Sequence, residues 1–209
     1  MPVNIFVADD HPIAREGIRE VTQAAGMKVV GYVDSPTKIV ESVARHRPAV
    51  LVNEVRLGGH DALKTLESLK LEGHECSVVV FSSHSNPTNI ARACALGCHD
   101  FILKTSSCEA LVAAIQCAAS GAATPDSSLL SKTKTRMKRP TNGHPESPLT
   151  NRETQVLRHV SMGLSNREVA KSLAISVETV KEHVQNILRK LDVNDRTQAA
   201  VWALKQGLI

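Results

Sequence analysis

The chain has 209 residues and a formal net charge of +4 at pH 7, with 42% hydrophobic and only 2% aromatic residues. This length suits one or two domains that each bury a core, and the composition predicts cores made mainly of aliphatic side chains. The sequence has no run of 18 apolar residues and no basic, apolar leader at its start. It therefore predicts a cytoplasmic protein with no membrane partner.

Charge is spread unevenly along the chain. Residues 1–120 contain 11 basic and 13 acidic residues, whereas residues 149–209 contain 9 basic and 6 acidic residues. The basic C-terminal part could face a polyanion, or its charges could simply be solvated. The five cysteines form neither a CxxC motif nor a metal set with histidines, and without an export signal we expect reduced thiols.

Five continuous apolar runs alternate with helical spacing over the first 120 residues. Continuous runs are typical of strands that are covered on both faces. Between them, apolar residues recur at helical spacing, as at Ile39 and Val43. Five strands, each followed by a helix, predict an α/β fold with a doubly wound, five-stranded parallel sheet. The runs are NIFVA (4–8), KVVGYV (28–33), AVLV (49–52), SVVVF (77–81) and DFIL (100–103).

A lone acidic residue, Glu54, lies just beyond the third apolar run. In open α/β sheets, reactive and ligand-binding groups lie at the carboxyl ends of the strands. Glu54 is therefore a candidate functional residue at that edge of the predicted sheet.

The periodic pattern is lost between residues 121 and 147. This segment is rich in Pro, Ser, Thr, Lys and Arg and has almost no apolar periodicity. Such composition predicts an exposed, flexible basic linker. Its tract KTKTRMKR (132–139) could contact nucleic-acid phosphates or serve as a solvated tether.

Helical periodicity returns from residue 148 to residue 209. The pairs Thr150 with Glu153 and Ser165 with Glu168 have the spacing of capping boxes, which mark helix starts. A tight turn at Ala174 separates the second helix from the third. Four short helices with such a turn predict a small all-α helix-turn-helix domain. The helices are predicted from Thr150 to about Gly163, from Ser165 through Leu173, from Ser176 to about Leu191 and from Arg196 to about Gln206.

The third helix has two distinct faces at roughly 100° per residue. Long donors and acceptors on one face suit the reading of base edges and phosphates, although an ordinary solvated face would have the same pattern. The turn, the capping boxes and the basic balance favour DNA binding. The apolar face contains Val180, Val184, Ile187, Leu188 and Leu191, and the opposite face contains Glu178, Lys181, Glu182, Gln185 and Arg189.

Several motifs carry a family resemblance. LTNRE, GLSNREVA, ISVETVKEHV and RTQAA, all within residues 149–209, closely resemble the LuxR-type DNA-binding domain of NarL/FixJ-type response regulators. VADDHPIAREGI (7–18) resembles the start of that family's receiver domain. The resemblance implies a two-domain transcriptional regulator with a receiver-like domain at 1–120, the linker at 121–147 and the LuxR-type domain at 148–209.

Specific DNA contacts follow for the third helix of that domain. We expect Lys181 and Gln185 to contact the major groove of double-stranded DNA, with Arg189 further along and Thr179 near a phosphate. Glu182 could accept a hydrogen bond from a cytosine amino group or be solvated. One such module makes few base contacts, so a homodimer on paired half-sites is expected.

The resemblance also implies a phosphotransfer pocket in the receiver. In the family, two acidic residues hold Mg²⁺, and a hydroxyl and a lysine bind the phosphoryl oxygens. The matching positions here are Asp9 and Asp10 for the acidic pair, Ser82 for the hydroxyl and Lys104 for the lysine. Phe101 falls at the family's aromatic switch position, and Ser82 belongs to the same switch.

The phosphoacceptor itself departs from the family pattern. Its position is occupied by Glu54, and the nearby family proline and glycine are replaced by Gly58 and Ala62. We therefore expect that the protein does not catalyse phosphotransfer and requires no cofactor. We also expect Glu54 to carry a permanent negative charge that pairs with Lys104. Weak Mg²⁺ binding by Asp9, Asp10 and Glu54 is possible.

Two alternatives stay open. The receiver could still accept phosphate poorly from a phosphorelay, or it could serve mainly for protein–protein docking. The sequence does not identify a partner kinase.

Overall fold

A computed structural model of the chain describes residues 2–138 and 148–208, which divide into two compact units. The first unit falls within Met1–Asn86 and Gly97–Ser131, and the second within Pro87–Leu96 and Lys132–Ile209. The helix-spanning segment 87–96 therefore packs with the C-terminal part of the chain rather than with the residues on either side of it.

The first unit is built on a five-stranded parallel sheet with the strand order β2-β1-β3-β6-β7. Each predicted apolar run forms one of its strands, with bounds within one residue of the prediction. A separate two-stranded antiparallel pair, β4 with β5, was not predicted. In chain order the strands are β1 (Asn4–Ala8), β2 (Lys28–Val33), β3 (Val50–Asn53), β4 (Arg56–Leu57), β5 (His60–Asp61), β6 (Ser77–Ser82) and β7 (Asp100–Leu103).

Helices of the first unit cover the sheet. Pro12 begins one helix, where its missing N–H and fixed φ cost nothing, and Ser107 caps another by accepting a hydrogen bond from the backbone N–H of Ala110. These helices are α1 (Pro12–Ala24), α2 (Ile39–His46), which follows a 3-10 turn at Pro36–Lys38, α3 (Thr65–Leu71) and α5 (Cys108–Ser120).

The core of the first unit is aliphatic, as the composition predicts. Side chains from β1, β3 and β6 pack against side chains from α1 and α5. The buried cluster includes Ile5, Val7, Ile18, Val50, Val52, Val79, Leu111 and Ile115. Because both faces of the sheet are covered, its strands read as continuous apolar runs.

The second unit is helical and contains the predicted helix-turn-helix. Both capping boxes are formed, since the side chain and backbone bonds of Thr150 with Glu153 and of Ser165 with Glu168 are all present. Ala174 follows the helix that is capped by Ser165. Its positive φ of 52° makes the sharp turn into the helix that is capped by Ser176. The unit contains α4 (Pro87–Leu96), the part of α6 (Leu129–Lys138) that follows Ser131, α7 (Asn151–Ser161), α8 (Asn166–Leu173), α9 (Val177–Leu191) and α10 (Arg196–Lys205).

Helix α6 lies inside the segment predicted to be a linker without regular structure, so that expectation was wrong for Leu129–Lys138. Leu130 and Met137 of this helix are buried, and Met137 belongs to the apolar core of the second unit. The rest of the predicted linker, residues 139–147, lies outside the described residues. The predicted domain boundaries themselves remain predictions.

Within residues 2–138 and 148–208, no helix combines the length and apolar character needed to cross a membrane. All five cysteines lie in these described ranges, and none of them forms a disulfide bond.

Candidate functional site

The predicted pocket residues of the receiver gather at the carboxyl edge of the sheet. Asp9 follows β1, Glu54 follows β3, Ser82 ends β6 and Lys104 follows β7. Because these strands are parallel, their carboxyl ends meet at one edge, and the four residues come together from distant parts of the sequence. Asp9, Glu54 and Ser82 are buried.

Lys104 lies at the centre of this pocket. Its Nζ is 2.6 Å from Asp9 Oδ2 and 2.8 Å from Glu54 Oε2, so one ammonium bridges two carboxylates. Burial alone would lower the pKa of Lys104, but its hydrogen bonds with Asp9 and Glu54 outweigh that effect and raise the pKa above its ordinary value. Lys104 therefore stays charged, and the contact with Glu54 is the one predicted from the sequence.

Both carboxylate oxygens of Glu54 accept hydrogen bonds. Oε2 bonds to Lys104, and Oε1 accepts from the backbone N–H of Val55 at 2.7 Å. The backbone of Glu54 is fixed too, because its N–H donates to the carbonyl oxygen of Ala8 at 2.9 Å. The carboxylate is thus held between a cation and an amide, with the residue only 7% exposed.

Asp10 is bonded to the loop that differs from the family pattern. The backbone N–H of Gly58 donates to Asp10 Oδ2 at 2.9 Å, and Gly58 has a positive φ of 54°. A proline could neither donate this bond nor adopt that φ. Partial burial would raise the pKa of Asp10, but the bond from Gly58, the backbone of Asp10 and the nearby His11 and Lys104 together lower it.

His11 joins the acidic pair, which the sequence reasoning missed although it directly follows Asp9 and Asp10. Its backbone N–H donates to Asp9 Oδ1 at 2.9 Å, and its ring Nδ1 bonds to the same oxygen at 3.2 Å. Nδ1 also lies 3.0 Å from Asp10 Oδ1. One ligand atom from each of the three residues lies within 4.8 Å of the others, a spacing that could hold a metal ion.

These residues fit Mg²⁺ in part. Mg²⁺ usually needs one or two carboxylates, with waters completing its coordination. Asp10 Oδ1 is a buried oxygen that lies 3.0 Å from His11 Nδ1, so a metal ion on this oxygen would compete with the imidazole for it. Glu54, which was predicted as the third ligand, has both oxygens engaged by Val55 and Lys104 instead.

Ser82 and Phe101 are less closely tied to the charged cluster. The Ser82 carbonyl oxygen accepts from the backbone N–H of Lys104 at 2.8 Å, and its hydroxyl accepts a long bond from His84 N–H at 3.4 Å. Phe101 is 1% exposed and lies opposite Val80 in the pairing of β6 with β7. The aromatic ring at the switch position is therefore directed into the protein.

Helix α9 presents the predicted DNA-contacting residues on its surface. Lys181, Glu182, Gln185 and Arg189 are exposed, whereas Thr179 is half-buried. The opposite face packs into the core of the second unit through Val180, Val184, Ile187, Leu188 and Leu191, as the helical wheel predicts.

Two exposed cations of α9, Lys181 and Arg189, bond to near neighbours in the same helix. Lys181 Nζ is 2.9 Å from Glu178 Oε1, and Arg189 Nη2 donates to Asn186 Oδ1 at 2.9 Å. Because exposed pairs of this kind contribute little to stability, these cations can turn toward a ligand at small cost.

An ion pair between the partly exposed Lys190 and the buried Glu153 joins α9 to α7. Lys190 Nζ lies 2.8 Å from Glu153 Oε2, the same carboxylate that completes the capping box with Thr150. Burial would raise the pKa of Glu153, but the bonds from Lys190 and from Thr150 lower it. Sequence reasoning assigned Glu153 only to capping, and Lys190 was missed because it lies at the edge of the polar face.

Comparison with known proteins identifies the family. Residues 5–116 match the response regulator receiver domain family, and residues 147–203 match the bacterial regulatory proteins of the luxR family. The chain is a member of the response regulators with a LuxR-type DNA-binding domain. The predicted family is confirmed, and this response regulator is a transcriptional regulator.

Relatives extend over the full length of this response regulator. It is 31% identical to the response regulator protein VraR of Staphylococcus saprophyticus over 100% of both chains. It is 30% identical to the nitrate/nitrite response regulator protein homolog of Haemophilus influenzae over 98% of both chains.

Solved structures share its fold. RcsB of Salmonella typhimurium aligns with a TM-score of 0.58 at 23% identity, over 97% of this chain and 99% of RcsB. A complex of the two-component response regulator RcsB with DNA aligns with a TM-score of 0.57 at 25% identity, over 98% of each chain. The predicted fold class, a parallel receiver sheet with a helical helix-turn-helix unit, is confirmed.

Proposed function

We propose that this response regulator is a sequence-specific DNA-binding transcription factor whose receiver operates without phosphorylation. In this proposal Glu54 supplies a permanent negative charge at the position where the family acquires a phosphoryl group. The observation that carries the proposal is the bridge formed by Lys104, whose Nζ lies 2.8 Å from Glu54 and 2.6 Å from Asp9.

The geometry of Glu54 argues against phosphotransfer. A glutamate is one methylene longer than an aspartate, and a misplacement of about 1 Å can cost roughly a hundredfold when in-line geometry matters. Both oxygens of Glu54 already accept bonds, from Val55 and from Lys104. Glu54 would have to break at least one of these two hydrogen bonds before its carboxylate could attack a phosphoryl group.

The switch residues are consistent with one stable receiver state. Phe101 is buried, and the backbone of Ser82 is bonded to that of Lys104. The charge of Glu54 can act on Ser82 through Lys104, whose backbone N–H donates to the Ser82 carbonyl oxygen. An ion pair largely shielded from water contributes on the order of 1–3 kcal/mol, enough to bias two conformations that differ by a similar amount.

For DNA recognition, the proposal uses the exposed face of α9. Lys181 and Gln185, one helical turn apart, would contact base edges in the major groove, with Arg189 further along. Thr179 would lie near a phosphate, and Glu182 could accept from a cytosine amino group. Because one module makes few base contacts, the active form would be a homodimer on half-sites about one helical turn apart, or a multiple of that.

Mg²⁺ is not required by this function. Asp9 and Asp10 are the residues that would hold it, and the ion would supply neutralising charge beside a transferring phosphoryl group. With Glu54 committed to Lys104, any binding should be weak.

The test for phosphorylation is intact mass after incubation with a small acyl-phosphate donor and Mg²⁺. We expect the mass of the wild-type protein to stay unchanged. The companion variant Glu54→Asp restores the family's nucleophile and should gain a phosphoryl group to some extent. A stoichiometric gain on the wild type that is absent from Glu54→Gln would favour the phosphorelay alternative.

A second measurement distinguishes a DNA-binding transcription factor from a protein whose receiver only docks other proteins. Genome-wide mapping of bound DNA with the full chain should find discrete sites that share a sequence. Loss of the sites in a Lys181→Ala, Gln185→Ala variant would support the reading role of α9. An absence of discrete sites would leave the receiver as a protein-docking module.

A further inference from the structure

A cavity of about 500 Å³ lies within the second unit, bounded by α4, α6, α7 and α8. This volume falls in the range of small-molecule sites, which is roughly 300–1,000 Å³. The cavity is separate from the exposed face of α9 that is proposed to meet DNA. Neither the receiver pocket nor the DNA-contacting residues contribute to its walls.

All the charged side chains that line the cavity are positive. Lys134 from α6, Arg152 from α7 and Lys171 from α8 line it, and no carboxylate does so among the described residues. A concave surface with several cations and no anion concentrates negative ligands.

Arg152 bonds to two neutral groups of the second unit. Its side chain is half-buried, and its guanidinium donates to Gln155 Oε1 at 2.8 Å and to the Leu173 carbonyl oxygen at 3.1 Å. Both acceptors are neutral, so within the described chain this partly desolvated charge is oriented but not compensated. An anion bound in the cavity would provide the missing compensation.

The wall beside Arg152 is polar and rigid. His159 is buried, and its Nδ1 lies 2.8 Å from the Gln155 carbonyl oxygen. A carbonyl can only accept, so Nδ1 carries the proton and Nε2 accepts from the Ser172 hydroxyl at 2.9 Å. Burial also lowers the pKa of His159, which keeps the ring neutral, so it holds Ser172 in place without adding charge.

The remaining walls are apolar. Ala95 of α4, Met137 of α6 and Leu173 of α8 line the cavity together with the polar groups. A site with an apolar wall and a few convergent cations suits a ligand that has an anionic head and an apolar body. We propose that this cavity binds a small organic anion, with its phosphate or carboxylate group on Arg152 and its apolar part against Ala95, Met137 and Leu173.

The experiment is calorimetric titration of the full-length protein with phenyl phosphate. Inorganic phosphate, which lacks the apolar body, and phenol, which lacks the charge, serve as the two partial ligands. We expect phenyl phosphate to bind at least about tenfold more tightly than either of them, because each makes only half of the contacts. Equal affinity for phenyl phosphate and inorganic phosphate would overturn the proposal.

Variants then locate the binding. Arg152→Gln should weaken phenyl phosphate binding at least about tenfold, since it removes a charge-assisted contact. Arg45→Gln removes the same charge from an exposed arginine of α2, which pairs with Glu41, and should leave the affinity within about twofold. Equal losses in the two variants would show attraction by net charge alone and would contradict a site.

Arg152 also bonds to the carbonyl at the end of α8, so Arg152→Gln could disturb the fold. In that case Lys134→Gln decides the matter, because Lys134 is exposed and lines the cavity edge. It should weaken phenyl phosphate binding about threefold, and no change would overturn the proposal.

A titration with duplex DNA tests the alternative that the cavity binds a DNA phosphate instead of a small anion. If Arg152→Gln weakens DNA binding while leaving phenyl phosphate binding intact, the cavity serves DNA phosphate and the small-anion site is wrong.

Discussion

The receiver pocket and the exposed face of α9 use similar residue types in opposite settings. In the pocket, the side chains of Asp9, Glu54 and Lys104 are 2%, 8% and 15% exposed and bond to one another. On α9, the Lys181 and Glu178 side chains are 53% and 75% exposed and meet only as near neighbours in the helix. The pocket charges are therefore committed to each other, whereas the α9 charges are available to a partner.

This contrast assigns different consequences to the same kind of substitution. Removing one member of a buried ion cluster leaves the remaining charges without a partner and poorly solvated. The free energy of unfolding then falls by several kcal/mol. Removing one member of an exposed pair costs about 0–1 kcal/mol of stability. Changes in the pocket should appear in folding and receiver state, and changes on α9 should appear in DNA binding.

The largest expected effect is on stability, from Lys104→Met. This variant leaves Asp9 and Glu54 buried side by side without their cation, so the free energy of unfolding should fall by about 3–5 kcal/mol. Urea unfolding followed by circular dichroism measures it. Trp202 packs in the second unit, so its fluorescence follows the unfolding of that unit separately.

Lys38→Met is the matched control for that experiment. Lys38 pairs with Asp34 at 3.8 Å, and both side chains are more than 60% exposed (64% and 61%). Its loss should change the free energy of unfolding by less than about 1 kcal/mol. Similar destabilisation by the two variants would remove the distinction between the pocket and the surface.

The next effect is on DNA binding, from Lys181→Ala with Gln185→Ala. If these residues read bases, the specific affinity should fall by about 1–3 kcal/mol for each good contact, with stability nearly unchanged. A fluorescence anisotropy titration on a mapped site and on a scrambled duplex measures both terms. Contact with phosphate alone would instead lower affinity for both duplexes and reduce the salt slope by about one.

Lys205→Ala provides the comparison on the same unit. Lys205 is exposed at the end of α10, a different helix from the one assigned to base reading. Its loss should affect the two duplexes equally and weakly. If the double variant behaves like Lys205→Ala, the placement of α9 in the groove is wrong.

Glu54→Gln should have a smaller effect that joins the two regions. It keeps the shape of the side chain and removes the charge that faces Lys104. We expect dimerisation and DNA affinity to weaken together, by about 1–2 kcal/mol, because the receiver loses the bias toward its active state. Sedimentation with a parallel DNA titration measures both quantities.

Glu41→Gln removes an equal charge from the exposed surface of α2 and should change neither quantity. If Glu54→Gln behaves in the same way, Glu54 does not control the receiver, and regulation must act elsewhere.

The smallest effect concerns acid stability of the second unit. The pKa of Glu153 is lowered in the folded protein, so its charge contributes stability above the unfolded glutamate pKa of about 4.3, and this is lost as pH falls through the folded pKa. Glu153→Gln keeps a capping side chain but loses the charge facing Lys190. The variant should lose about 1 kcal/mol at pH 7 and show a weaker decline below pH 4.5.

Urea midpoints from Trp202 fluorescence at pH 7 and pH 4 measure this dependence. Glu182→Gln, an exposed change on α9, is the control and should keep the wild-type decline. An unchanged acid dependence in Glu153→Gln would mean that the ion pair with Lys190 contributes nothing.

Much of the fold could be predicted because it follows from long, regular patterns. Five apolar runs located the sheet strands, and two capping boxes located α7 and α8. The β4–β5 pair could not be predicted, since two-residue strands are too short to show a period. Its turn depends on Gly58 and Gly59, which have φ values of 54° and 79°.

Helix α6 was missed for a different reason. Leu130 and Met137 are its buried apolar residues, and the residues between them are polar or basic, as in an exposed linker. Packing of Met137 into the core of the second unit overrides this local signal. Periodicity within a segment cannot reveal a helix whose stability comes mainly from contacts made elsewhere.

The parts of the candidate site that could be predicted are those in which each residue matches a position of the family motif, as Glu54 and Lys104 do. It was incomplete where two distant segments had to meet. Lys190 reaches Glu153 across 37 residues, and the Gly58 N–H reaches Asp10 across 48. Nothing in the spacing of these residues indicates that they touch.

The position of α4 has a practical consequence for dividing the chain. Between β6 and β7 in sequence, this helix nevertheless contributes Ala91 and Ala95 to the core of the second unit, and its Arg92 Nε donates to Glu168 Oε1 at 2.6 Å. A DNA-binding fragment that starts at residue 148 lacks all three groups. It would leave Glu168 without its guanidinium partner and uncover apolar surface, so its solubility and melting temperature should not be taken as those of the same helices in the intact protein.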